Sequence, residues 1–238
     1  MKLIGFLLLV SVTGICLADP GLVLVHYDIH GGYGTAVFDA ITNVWPGSTV
    51  HSVEGADWTT FNNALATNTY DVIILENWNA SSDNCDWAAL LNIYNMSDTR
   101  IFLSDWKLIS GATGVQDLMI AMGVSGVTTN GSILPHYAWE PMHMICDGIS
   151  DWGQVDVGLG IDSNNLTHSS AVPVTGWTAT ATPGMAGICI ASDGVSIISG
   201  YTPAYSNECV AIWENILEFM GAPVALQQST WGEIKSSF

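Results

Sequence analysis

Apolar positions in the first half of the chain follow one repeating rhythm. A short run, Leu22-Val-Leu-Val25, ends in polar residues and a Gly-rich turn, Gly31-Gly32-Tyr33-Gly34. Val37, Ile41 and Val44 then recur at helical spacing, with Phe38 and Trp45 beside them on the same face. A continuous β-branched run followed at once by an amphipathic helix is how a parallel α/β sheet begins. The same unit returns three times. A strand over 49–53 precedes a helix capped by Asp57 and carrying Phe61 and Leu65. A strand over 71–76 precedes a helix whose inward residues are Trp87, Leu90, Leu91 and Tyr94, with Ser81 or Ser82 as its expected cap. A strand over 100–104 precedes a helix of Val115, Leu118, Met119 and Met122 that Gly123 stops.

From Val124 the rhythm breaks. Residues 124–184 are rich in Gly, Thr, Asn and Pro, and their pattern fixes no strands. Regularity returns with strands over 186–191 and 195–199, which Ser192-Asp193-Gly194 joins as a hairpin. A last helix over 208–220 turns Val210, Trp213, Leu217 and Met220 inward. The expectation is one three-layer α/β domain: a parallel sheet of about five strands, helices on both faces, right-handed crossovers and a late β-hairpin.

The two ends of the chain read differently. Lys2, an apolar run through Val12 and the small residues Cys16 and Ala18 make residues 1–18 a signal peptide. The expected organisation is thus a signal peptide over 1–18, a single domain over 19–226 and a short polar tail over 227–238. The protein is expected to be secreted or periplasmic, with no membrane span in the mature chain.

Composition narrows the function classes. Hydrophobic residues make up 49% of the chain and charged ones 11%, so a sizeable core is available and disorder is not expected. Of four basic residues one is Lys2, which leaves Arg100, Lys107 and Lys235 against 22 acidic ones. Nucleic acid and anionic membranes need clustered Lys and Arg, and are excluded as partners. Cys85, Cys146, Cys189 and Cys209 survive processing, and an even number in an exported protein suggests disulfides. Cys189–Cys209 is the favoured pair, because a late strand and the start of the last helix are separated by a short connection.

Several of these segments carry a family resemblance. They are the first strand and turn, Tyr70-Asp-Val-Ile-Ile-Leu-Glu76, Arg100-Ile-Phe-Leu-Ser104, Trp139-Glu-Pro-Met-His143, Asp193-Gly194 with Ile198-Ser-Gly200, and Ile212-Trp-Glu-Asn-Ile216. Together they resemble the class I glutamine-amidotransferase-like superfamily, in particular exported bacterial members. The resemblance implies a flavodoxin-like sheet, in which ligands gather outside the carboxyl ends of the strands. One departure matters. Amidotransferases carry a nucleophilic cysteine in a Gly-flanked elbow after a central strand, whereas this chain has Glu76-Asn77-Trp78-Asn79, and Cys85 comes too late. Glutamine hydrolysis is therefore not expected. A trehalose-utilisation branch of the superfamily also lacks that cysteine, so the resemblance keeps a carbohydrate ligand in view.

Candidate site residues follow from the strand order the resemblance implies. Asp28, His30, Glu76 and Asn77 should converge where the order switches, with Asp105 one strand further on. Trp78, Trp106 and Trp139 offer aromatic faces of the kind that stack on sugar rings. His136 and His143 flank Trp139-Glu140-Pro141, and the resemblance places His143 near the crevice. The ligand-binding set is thus Asp28, His30, Glu76, Asn77, Trp78, Asp105, Trp106, Trp139 and His143. Helix capping and core packing are the plainer roles for each of them.

The leading expectation is an exported, non-catalytic ligand-binding or accessory domain for a small polar or carbohydrate-like ligand. One alternative is a hydrolase or lyase using Asp28, Glu76 and His143; another is a purely structural envelope or secreted module. No cofactor is required, although Asp28 and Glu76 could recruit Ca²⁺ through oxygen ligands.

Overall fold

A computed structural model describes residues 19–30, 34–79, 81–109, 114–130, 135–155 and 163–221. The segment 1–18 read as a signal peptide, residues 31–33 of the Gly-rich turn, and the tail over 227–238 lie outside the described residues.

Four βα units open the domain, as the hydrophobic rhythm predicts. They are β1 (Leu22–Asp28) with α1 (Ala36–Val44), β2 (Thr49–Glu54) with α2 (Trp58–Thr67), β3 (Val72–Asn77) with α3 (Trp87–Met96), and β4 (Arg100–Asp105) with α4 (Val115–Ala121). Asp57 caps α2 by accepting from the Thr60 amide at 3.1 Å. The cap of α3 is Asp86, which accepts from the Ala89 amide at 2.9 Å, and not Ser81 or Ser82. The helix starts later than its polar lead-in suggests because Ser81 and Asp83 bond each other, at 2.6 Å, in a turn before it.

The parallel strands stand in the order β2-β1-β3-β4, and β11 (Ile197–Ser199) adds to β4 in parallel. β10 (Ile188–Ile190) and β8 (Val172–Pro173) then extend the sheet antiparallel, giving seven strands where about five were expected. β10 and β11 form the predicted hairpin, turning at Gly194 with φ +78°. Between α4 and β10 lie two small antiparallel pairs. β5 (Val124–Asn130) pairs β7 (Ser163–His168), and β6 (Tyr137–Ala138) pairs β9 (Thr175–Gly176).

The strict alternation of a strand assigns each side of the sheet its core. Leu24, Ile73, Leu75, Ile101 and Leu103 pack on α2, α3 and α4 through Trp58, Phe61, Leu90 and Leu118. Val23, Val25, Val72, Ile74 and Phe102 pack on α1 and α5 (Cys209–Gly221) through Val37, Ile41, Trp213 and Leu217. This is a three-layer, flavodoxin-like α/β fold. Among the described residues no helix is long and apolar enough to cross a membrane.

The same alternation corrects the disulfide. All four cysteines over 19–221 are free. Cys189 belongs to the α2–α4 side of the sheet, while Cys209 packs with the α1–α5 side. The sheet itself separates the two thiols. Sequence proximity was a poor guide because neighbouring residues of a strand face opposite ways.

Candidate ligand site

β1, β3 and β4 end together, and their register decides which side chains meet. Asp28 stands beside Asn77, and Asn77 beside Asp105; one residue earlier, Tyr27 stands beside Glu76, and Glu76 beside Ser104. Residues level with each other across a sheet share a face, and successive residues alternate. Asp28, Asn77 and Asp105 therefore point to the α2–α4 side, and Tyr27, Glu76 and Ser104 to the α1–α5 side.

On the first side the Asn77 amide Nδ2 donates to Asp105 Oδ2 at 2.8 Å, and the Lys107 backbone N–H donates to Asp105 Oδ1 at 2.6 Å. Asp105 is inaccessible to solvent. Burial pushes its carboxyl up to about 7, against the opposing pull of those hydrogen bonds. Asn79 Nδ2 donates to Asp28 Oδ1 at 3.0 Å, closing a link from the end of β3 back to β1. Cys85 lies near Asp105, and burial together with Asp105 and Asp86 pushes its thiol up. A thiol held protonated in this way is no nucleophile.

On the second side Glu76 is fully buried, and Oε1 accepts from the Ala204 amide at 3.1 Å. Its other oxygen has no partner among the described residues. Desolvation pushes its carboxyl up to about 8, so it is held largely neutral at pH 7. Trp78 is also buried, and its indole N–H donates to Ser104 Oγ at 2.8 Å. Ile29, Trp78, Ala204 and Tyr205 form a small apolar cluster here, with Trp106 packed against it. His30 is exposed, and Trp106 is half-buried under Lys107, whose Nζ lies 4.7 Å from the ring centroid.

Seven of the nine sequence-predicted ligand residues thus gather at the carboxyl ends of the strands, but on two faces. Asp28 and Glu76, expected to converge, belong to opposite faces of the sheet. Among the described residues no group of three or more His, Cys, Asp or Glu side chains is placed to hold a metal ion. Trp139 and His143 lie elsewhere. The Trp139 ring covers Gly176, where an added Cβ would fall 2.0 Å from Cζ2, and its indole N–H donates to Thr178 O at 2.7 Å. His143 caps a short 3₁₀ turn, Met144–Cys146, and its ring lies 5.3 Å from Phe219 in the last turn of α5. That turn is beside Trp45 at the end of α1, towards the amino ends of the strands. Burial drives the His143 imidazole down to about 4.

Sequence reasoning missed the segment Thr202–Tyr205, which supplies the amide to Glu76 and the rings that roof the cluster. It also missed Asn164, whose Nδ2 reaches Asp105 O at 3.4 Å. The one signal for the first was Gly200: a Cβ there would meet the Asn164 backbone oxygen at 2.2 Å, marking a close crossing of β7 over the end of β11.

No family model matches the chain, and no curated protein matches it. Solved structures do. PurLQS from Thermotoga maritima is 9% identical at a TM-score of 0.48, over 84% of this chain and 97% of that one. The glutaminase domain of Trypanosoma brucei CTPS, solved with bound acivicin, is 8% identical at a TM-score of 0.49, over 89% and 96%. Likeness at this level concerns the course of the chain and carries no residue role across.

Proposed function

We propose that the protein is an exported, non-catalytic ligand-binding or accessory domain on an amidotransferase-like sheet, taking a polar, carbohydrate-like ligand at the carboxyl ends of its parallel strands. The observation that carries the non-catalytic part is the closure of the strand-end hydrogen bonds. Asn77 is tied to Asp105, Trp78 to Ser104, Asn79 to Asp28 and Glu76 to Ala204. Nucleophilic chemistry needs a thiol or hydroxyl held against a base. Asn77, Trp78 and Asn79, at the position of the elbow after β3, supply two amides and an indole and no nucleophile. For the ligand, the support is the half-buried Trp106, an aromatic ring packed on the Ile29, Trp78, Ala204 and Tyr205 cluster at the strand ends.

The test is a glycan panel measured by calorimetry, with Trp106→Ala as the site variant. Trp139→Ala serves as the control, because Trp139 packs on Gly176 beside β8, three strands along the sheet from β4. Trp78→Ala is unsuited to the purpose: that ring is 3% exposed, and its loss would act through stability. Binding that Trp106→Ala weakens at least about tenfold and Trp139→Ala leaves unchanged is the expected outcome. Binding to no glycan, or binding indifferent to Trp106, ends the sugar reading. The purely structural reading is favoured by the filling of the crevice by Ile29, Trp78, Ala204 and Tyr205, and it is what a uniformly negative panel leaves.

A further inference from the structure

The seven-stranded sheet is finished differently at its two edges. At one, β8 is two residues long and ends in Pro173, which has no N–H to offer. Natural proteins blunt an edge by such means, because unpaired strand backbone invites another strand. At the other, β2 runs for six residues, Thr-Val-His-Ser-Val-Glu, with neither proline nor lysine among them. Its register with β1 is unbroken, so no bulge turns it aside. Thr49, His51, Ser52 and Glu54 are exposed.

The ladder to β1 fixes which backbone groups of β2 are left over. The Thr49 N–H donates to Gly21 O at 3.0 Å, and the Gly55 N–H to Tyr27 O at 3.1 Å. Odd-numbered residues of the strand therefore face β1, and by alternation the N–H and C=O of Val50, Ser52 and Glu54 face away from it. Among the described residues β2 pairs with no strand but β1, so these outward groups have no ladder partner. The pattern is its own complement. Antiparallel alignment of two copies about a twofold axis at Ser52 sets Ser52 against Ser52 and Val50 against Glu54, and every outward N–H and C=O of both copies finds a partner. Between those pairs His51 lies against Val53. In a chain of net charge −18 a self-contact must avoid acid against acid, and this register does. Glu54, the sole acid of the strand, meets an apolar residue and already accepts a hydrogen bond from the Tyr27 hydroxyl.

We propose that β2 is a dimerisation edge, along which two copies of the chain join antiparallel about Ser52 into one continuous sheet. The interface lies along the side of the sheet and stands independently of the sugar reading. Sedimentation equilibrium of the purified protein at up to about 100 μM tests it, since a small interface gives micromolar association. The mass should rise with concentration from one chain towards two. The bonds are backbone to backbone and both copies are strongly negative, so raising NaCl from about 0.01 to 0.15 M should tighten the dimer at least about threefold. Ser52→Pro removes an outward N–H and spares the ladder to β1. It should weaken association at least about tenfold and leave Tm near that of wild type. Should that variant fold poorly, Ser52→Lys carries the measurement: it is an exposed change that sets two ammonium groups across the axis, with the same loss expected. Ser52→Ala keeps the backbone and should leave association unchanged. Ser52→Cys should cross-link under mild oxidation, because the Cα atoms of such a pair lie about 5.5 Å apart, within disulfide reach. Thr59→Cys, on the exposed face of α2, should not. A single-chain mass at every concentration overturns the proposal. So does a dimer that Ser52→Pro and Ser52→Lys leave intact, or one that salt loosens.

Discussion

Two buried carboxylates and two buried histidines set how this protein should respond to pH. An acid whose folded pKa is raised contributes stability that is complete below its unfolded value and is lost as pH climbs through the folded one. Glu76, raised from 4.5 to about 8, and Asp105, raised from 3.8 to about 7, therefore favour the folded state at low pH. A base whose folded pKa is depressed acts the other way, its contribution being lost as pH falls. His26, stacked on Trp58 at 4.0 Å, is lowered from 6.5 to about 4, and His136, boxed by Trp177 and Tyr201, to about 3. Stability should peak at about pH 6 and decline towards both 4 and 9. Glu76→Gln keeps the acceptor for the Ala204 amide and removes the charge. It should flatten the alkaline limb, gaining on the order of a few kcal/mol over wild type at pH 9 and little at pH 5. Urea midpoints from pH 4 to 9 measure this; parallel curves for the two proteins would mean that Glu76 is not held neutral. The sequence shows Glu76 at a strand end, yet not its burial, which depends on Ala204 arriving 128 positions later. Asp28 and Glu76 read as a convergent pair from their strand-end positions. A register in which Asp28 meets Asn77 instead sends them to opposite faces.

Individual elements were legible wherever one period ran long enough. Four strands and four helices announce themselves because apolar runs bounded by polar turns alternate with 3.6-residue patterns, and Asp193-Gly194 marks the hairpin. The stretch from β5 to β9 was not legible for a physical reason. β6, β8 and β9 are two residues each, too short to carry alternation, and their pairing is fixed by tertiary contacts. Gly200 is the hinge of that arrangement. Its amide donates to Gly187 O at 2.8 Å and its carbonyl accepts from Asn164 N at 2.7 Å, so backbone from β7 lies directly over it. Gly200→Ala would set a Cβ 2.2 Å from Asn164 O. Because backbone cannot give way as a flexible side chain can, this substitution should cost about 3 kcal/mol, at the upper end for overpacking. Gly194→Ala, at a φ of +78° with open space around it, should cost about 1 kcal/mol. Denaturant midpoints on the two variants check the ranking, and a Gly200→Ala protein as stable as Gly194→Ala would mean that β7 does not cross there.

Over the whole molecule, charge is the dominant long-range term. The chain carries 22 acidic residues against four basic ones, for a net charge of −18. Self-repulsion on that scale weakens a compact state and is relieved by salt. The Debye length shrinks from about 30 Å at 0.01 M to about 8 Å at 0.15 M, which is less than the span between most of these carboxylates. Added NaCl should therefore raise Tm over this range. Whether Ca²⁺ does more than NaCl depends on geometry rather than on charge count. A hard cation needs several oxygens converging on one point. Here Asp28 and Glu76 face opposite sides of the sheet, Asp105 is taken up by Asn77 and the Lys107 amide, and Glu76 is held neutral by burial. CaCl₂ at matched ionic strength should accordingly raise Tm no more than NaCl does, and Glu76→Gln should leave both responses in place. A larger rise with Ca²⁺ that disappears in Glu76→Gln would require the end of β3 to rotate its carboxylate across the sheet, and would refute the register on which the strand-end site is built.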